Sequence, residues 1–171
     1  RNAGAADDLS QGALLVNPFD TAELAETIAT ALELPADERA KRAAQADARA
    51  QDRVVAELAR GRSLIVRVDR MELSKNILRG LEGYGMFLER NPRARGRVVH
   101  YALTYPSRRD LPEYQAYTAE VKHMADAINE RYRTRTWEPV LLELRDNYPR
   151  ALAAMAAADV LIVNPVWDGM N

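Results

Sequence analysis

Five short apolar runs set the limits on what this chain can fold into. They are Ala13 to Val16, Leu64 to Val68, Val98 to Tyr105, Val140 to Leu144 and Asp159 to Val163. Each has the length of a strand and is rich in Val, Ile and Leu. Most are apolar on both faces, which is the pattern of strands covered on both sides in a parallel sheet. The stretches between them carry helical periodicity instead. Leu24, Ile28 and Leu32 recur at four; Ile77, Leu81, Tyr84 and Leu88 mark one face; Tyr114, Tyr117, Val121, Met124 and Ile128 step by three and four. Pro149 to Ala157 reads as a short alanine-rich helix. Strands alternating with helices predict one α/β domain over residues 1–171 with a mostly parallel sheet. Ligands of such sheets bind beyond the carboxyl ends of the strands, so the strand exits are where function is sought.

One segment breaks the alternation. Pro35 to Gly61 opens on proline and acids, closes on glycine and has no internal breaker, which predicts a single helix of about 25 residues, roughly 37 Å long. Composition excludes several classes of function. The formal net charge of -1 gives no global field toward nucleic acid or an acidic membrane. There is no cysteine, hence no disulfide framework and no thiolate metal site, in keeping with a cytoplasmic location. No apolar run approaches the roughly 18 residues of a membrane span, and the opening RNAGAADDLSQG is too polar and acidic for a signal peptide.

Three stretches could carry chemistry. In VDRMELSKN, Val68 to Asn76, two cations, Arg70 and Lys75, flank a strand-to-helix turn where Ser74 can cap the helix. Cations beside a helix N-terminus suit a diphosphate, because free N–H groups and the helix dipole attract anions. The plainer alternative is a capped helix with two solvated cations. The terminal Asp168-Gly169-Met170-Asn171 follows the last strand; Gly169 permits close backbone approach, successive N–H groups can cradle oxygens, and Asp168 can accept from sugar hydroxyls. Its alternative is an ordinary polar turn. RNAG, Arg1 to Gly4, with VNPFD downstream reads better as a turn followed by a helix cap at Asp20 or Thr21. His100 and His123 lack paired carboxylates or metal-ligand spacing and read as structural. The basic RNPRARGR loop and the strand-exit pair Arg108 and Arg109 read as surface arginines.

Together the segments RVDRMELSKNILRGLEGYGMFLERNP, RVVHYALTYPSRRDLPEYQAYTAEV, WEPVLLELRDNYPRALAAMAAADVLIVNPVWDGMN and RNAGAADDLSQGALLVNPFD resemble the carboxyl-terminal half of the trehalose-6-phosphate synthase family. These are retaining glycosyltransferases of the two-domain GT-B type. The resemblance implies a Rossmann-like, three-layer domain that binds a nucleotide-sugar donor, UDP- or GDP-glucose, and transfers glucose to glucose 6-phosphate. It implies Arg70 and Lys75 as catalytic groups on the donor diphosphate. Asp168, Gly169, Met170 and Asn171 would meet the donor sugar and phosphates. No cofactor, metal, nucleic acid or membrane is implied, and self-association is expected from an exposed interdomain face. Against the family pattern, residues 1–50 match what should follow residues 51–171, so the order is rotated and a linking stretch is absent. The amino-terminal half that binds the acceptor is also absent, and Trp167 stands where Arg is common. The rotation would bring Asn171 near Arg1 and put a join near Gln45 to Asp52. The chain is then expected to be inactive alone. Two other readings are a non-catalytic permuted binding or folding module and a pseudo-glycosyltransferase of aminocyclitol synthesis.

Overall fold

A computed structural model describes residues 14, 16–17, 19–35, 37, 53–108 and 110–166. Its centre is a four-stranded, wholly parallel sheet. The strands are β1 (Ser63–Met71), β2 (Val98–Pro106), β3 (Val140–Glu143) and β4 (Val160–Leu161), in the spatial order β3-β2-β1-β4. The helices are α1 (Thr21–Glu33), α2 (Arg53–Ala59), α3 (Ile77–Arg90), α4 (Pro112–Tyr132) and α5 (Tyr148–Ala157). Four of the five expected runs supply these strands. Of the run at 13–16, Leu14 and Val16 stand outside the sheet, and its other residues lie outside those described. The expected helix over 35–61 is seen as α2, which ends where Arg60 and Gly61 turn left-handed at φ 48° and 73°. The proposed join near residues 45–52 and both chain ends lie outside the described residues.

The sheet is covered on both faces. Parallel pairing sets Val66 beside Tyr101 and Arg67 beside Ala102, so these two pairs point to opposite faces. Tyr101 meets Arg150 of α5 on one face. Arg67 lies against Gly80 of α3 on the other. Helix, sheet and helix therefore form three layers, as an α/β domain of the Rossmann type requires. The helical stripes form as expected but for one residue: Ile77, Leu81, Tyr84 and Leu88 are all buried, as are Tyr117, Val121 and Ile128, Met124 packs at the margin of the core, and Tyr114 is half-buried outside it. Each such aliphatic side chain contributes about 1.5–3 kcal/mol on burial. Asp20 caps α1, its carboxylate accepting from the Ala22 and Glu23 N–H groups, both at 2.9 Å. Among the described residues no helix is long and apolar enough to cross a membrane.

Polar side chains do work at the sheet that periodicity does not reveal. Asn129 of α4 exchanges two 2.8 Å hydrogen bonds with the Val140 N–H and C=O, standing in for a neighbouring strand at the start of β3. Asp159 accepts from the Leu64 N–H at 2.8 Å and fixes where β4 joins β1. Arg95, in the basic loop, donates to the Leu88 and Glu89 carbonyls and so closes the end of α3.

His100 is fully buried on β2, its ring 5.1 Å from that of Tyr84 and its Nδ1 3.1 Å from the Ile65 carbonyl. That contact makes Nδ1 the protonated nitrogen. Burial pulls the pKa down to about 4, the nearby Arg67 charge adding to the effect and the Ile65 carbonyl opposing it. The folded chain thus refuses, between about pH 6.5 and 4, a proton that the unfolded chain accepts, and stability falls as pH falls through that window. The expected contribution is about 3 kcal/mol across it. His100→Asn, which keeps an N–H for Ile65, flattens this slope in urea unfolding at pH 7 and pH 4.5; an unchanged slope would refute the assignment to His100.

Candidate functional site

The site grows from the exit of β1. This strand continues to Met71, three residues beyond the expected end at Val68, because Asp69, Arg70 and Met71 stay in register with Thr104, Tyr105 and Pro106. Arg70 therefore sits on the strand rather than in the turn. Its side chain is 38% exposed, with Nη1 3.0 Å from Glu72 Oε1. Ser107, at the exit of β2, donates to the same oxygen at 3.0 Å.

The chain then tightens. The Glu72 N–H reaches back to the Arg70 carbonyl at 2.8 Å, and Leu73–Lys75 forms a single 3-10 turn closed by Lys75 N–H to Glu72 O and Asn76 N–H to Leu73 O, both 3.1 Å. This turn carries Lys75 inward, leaving its side chain only 7% exposed with Nζ 3.7 Å from Asp69 Oδ1. Asn76 takes the left-handed conformation, φ 56° and ψ 38°, which asparagine tolerates better than most residues, and α3 starts at Ile77. The 3-10 turn thus delays the helix, and the expected Ser74 cap does not form. Asn76 occupies the cap position, and its side chain donates to the Asn164 carbonyl at 3.0 Å.

Nor is the start of α3 open to an anion as expected. The Tyr117 hydroxyl, reaching across from α4, accepts from the Ile77 N–H at 2.8 Å. Burial raises the Tyr117 pKa and keeps the phenol neutral. Positive potential in this loop consequently comes from side chains more than from the helix end.

Beneath the loop lies Arg67, fully buried, which the sequence reasoning passed over. Its Nη1 donates to Asp69 Oδ2 at 2.7 Å and to the Lys75 carbonyl at 3.1 Å. Burial lowers its pKa, and the Asp69 charge and hydrogen bond oppose that. Gly80 makes room for it: a Cβ there would stand 2.8 Å from Arg67 Nη2. The signal was present, since Arg67 interrupts the otherwise apolar run Leu64 to Val68.

The chain leaving β4 closes the side of this loop. Val166 N–H donates to the Ser74 carbonyl at 2.9 Å, and Asn164 Nδ2 to the Asn76 carbonyl at 3.4 Å. The turn that carries Lys75 is thereby held beside the segment that leads into Asp168, Gly169, Met170 and Asn171. Those four residues, and Trp167, lie outside the described residues. The remaining candidates are otherwise engaged. Arg108 donates to the Tyr114 hydroxyl at 3.2 Å, and His123 is exposed on α4. A hollow of about 480 Å³ runs along β3, where Glu143 accepts from Tyr101 and Arg145. It lies away from the cationic loop. Among the described residues no group of three or more His, Asp or Glu could hold a metal ion.

The order β3-β2-β1-β4 reverses direction between β1 and β4, and the cationic loop sits at the carboxyl end of that junction, the position at which Rossmann-type sheets take ligands. The class is therefore a Rossmann-type α/β domain with a charged site at its switch point. The pattern of glycosyltransferase family 20 matches residues 1–57 and 43–171, and the chain belongs to that family. It is 37% identical over 109 residues to the UDP-forming alpha,alpha-trehalose-phosphate synthase of Pichia angusta, covering 63% of this chain and 23% of that protein. A crystal structure of the UDP-forming synthase from Burkholderia xenovorans superposes with a TM-score of 0.68 at 32% identity, covering 79% of this chain and 30% of that one. A second structure from that organism, in complex with glucose-6-phosphate, superposes at 0.67 and 29% identity over 91% of this chain and 31% of that one. The chain thus spans about a quarter of the length of the curated relative and under a third of the solved structures.

Tyr117→Phe removes the acceptor from a buried Ile77 N–H, at a cost of about 1–3 kcal/mol. Urea unfolding at pH 7 is expected to show a lower midpoint with an unchanged slope; a wild-type midpoint would mean that the N–H finds another partner.

Proposed function

We propose that this chain is the donor-binding part of a glucosyltransferase that moves glucose from UDP-glucose to glucose 6-phosphate, giving trehalose 6-phosphate. The single observation that carries the reading is that Arg70 at the end of β1 and Lys75 in the turn after it lie at the β1–β4 switch point, where that turn is hydrogen-bonded to the chain that leads into Asp168. Membership of glycosyltransferase family 20 supports the reaction class, and the UDP-forming names of the relatives support uridine as the base. In this reading Arg70 and Lys75 neutralise the diphosphate as it leaves the anomeric carbon, which lowers the barrier to that bond breaking. Asp168 accepts hydrogen bonds from glucose hydroxyls, and the Gly169, Met170 and Asn171 backbone meets the sugar and phosphates. The acceptor site belongs to the complementary GT-B half, so the 171-residue chain binds donor without turning it over. In this reading the segment order is rotated relative to the family. A short distance between labels placed at residues 1 and 171 is expected from it, and a long one would count against it. The absence of cysteine suits the reducing cytoplasm.

Calorimetric titration of the purified chain with UDP, UDP-glucose and GDP tests the reading. Saturable UDP binding is expected, weakened about a hundredfold or more in Arg70→Ala, Lys75→Ala through loss of two charge-assisted contacts. Absence of binding, or binding indifferent to both substitutions, would refute it. Glucose 6-phosphate is expected to provoke no release of UDP from UDP-glucose, and its release would refute inactivity of the isolated chain.

A further inference from the structure

We propose that Arg67 is a positioning residue for Lys75: its buried guanidinium grips the Asp69 carboxylate and the Lys75 carbonyl together and so fixes where the Lys75 ammonium meets a diphosphate. This rests on the diphosphate reading of the loop. The geometry is specific. One nitrogen, Nη1, makes both contacts, at 2.7 Å to Asp69 Oδ2 and 3.1 Å to the Lys75 carbonyl. The other Asp69 oxygen, Oδ1, stands 3.7 Å from Lys75 Nζ. Arg67 thus holds the backbone of Lys75 directly and its side chain through Asp69. A carboxylate gripped from below is fixed in direction, and so is the ammonium that faces it.

Stability does not account for this arginine. Its neighbours on the strand are Ile65, Val66 and Val68, and Nε and Nη2 have no hydrogen-bond partner among the described residues. A fully buried cation with two unsatisfied nitrogens is costly, and well-packed apolar residues often replace buried ion pairs without loss. The surroundings are nonetheless shaped to keep it. Gly80 withholds a side chain where Nη2 sits, and beside it Asn76 and Asn164 tie the turn to the exit of β4. Arg67 supports the turn from below, β4 from the side and Tyr117 from the end.

A double-mutant cycle tests this on the full chain, with UDP and uridine as calorimetric probes. Arg67→Met is expected to weaken UDP about tenfold, the size of one misplaced charge-assisted contact, and to leave uridine unchanged. In a Lys75→Ala background the same substitution is expected to cost UDP less than about twofold, because its effect runs through Lys75. Arg67→Lys, which retains a donor on the same side, is expected to recover part of the loss. If Arg67→Met lacks a cooperative urea transition, Asp69→Asn replaces it in the cycle and breaks the same relay at its middle. Equal losses in both backgrounds, or parallel losses for UDP and uridine, would overturn the proposal while leaving the diphosphate reading intact. Failure of the wild-type chain to bind UDP would overturn that reading and this one with it.

Discussion

The nine residues of β1 are paired with β2 along their whole length, but only Ile65 and Val66 are paired with β4. That asymmetry governs the molecule. Held by the β2 ladder throughout, its last five residues, Arg67 to Met71, run past the pairing with β4 as a shelf. Asp69, Arg70 and Met71 occupy the end of the shelf, and the connection to α3 must fold back over it. The short β4 leaves the other wall of the crevice to irregular chain, which is held by backbone and asparagine hydrogen bonds to the 72–76 turn. The switch point of the sheet is thus lined by fixed strand on one side and pinned loop on the other.

Much of this architecture was legible in the sequence. Apolar runs of strand length between helical stripes have few solutions, and the parallel α/β sheet is the one adopted. The boundaries were less legible, because they depend on neighbours. Arg70 extends β1 since Tyr105 lies in register beside it, and no periodicity within VDRMELSKN records that partner. The start of α3 was misplaced by a 3-10 turn whose only local mark is Asn76 in the left-handed region. The Tyr117 contact was invisible for another reason. Tyr117 fits the apolar stripe of α4, and its hydroxyl reaches a helix 40 residues away in sequence. Of the candidate residues, Arg70 and Lys75 were singled out from the sequence, but the charged groups they meet in the fold, Asp69 and Glu72, and Arg67 behind them, were not. A charged residue inside a two-sided strand is the feature that would have found Arg67.

The ion pairing bears on what such a site can do. Three cations, Arg67, Arg70 and Lys75, stand among two carboxylates, Asp69 and Glu72. A loop meant to attract a polyanion gains nothing in raw charge from its acids. It gains order. Immobilising a free lysine or arginine on binding costs about 0.5–1.5 kcal/mol per side chain, and a cluster of bare cations would also repel itself in the unliganded fold. Carboxylates that hold the cations beforehand remove both costs and leave a net positive charge for the diphosphate proposed above. Glu72 shows how this is arranged: Ser107, just past the end of β2, and Arg70 of β1 meet on one oxygen, so the acid is held from two strand exits. The same logic places Asp69 between Arg67 and Lys75. Rigidity passes from the sheet to the acids and from the acids to the cations, and under the proposed function the exposed end of that chain is where charge would develop on a departing diphosphate.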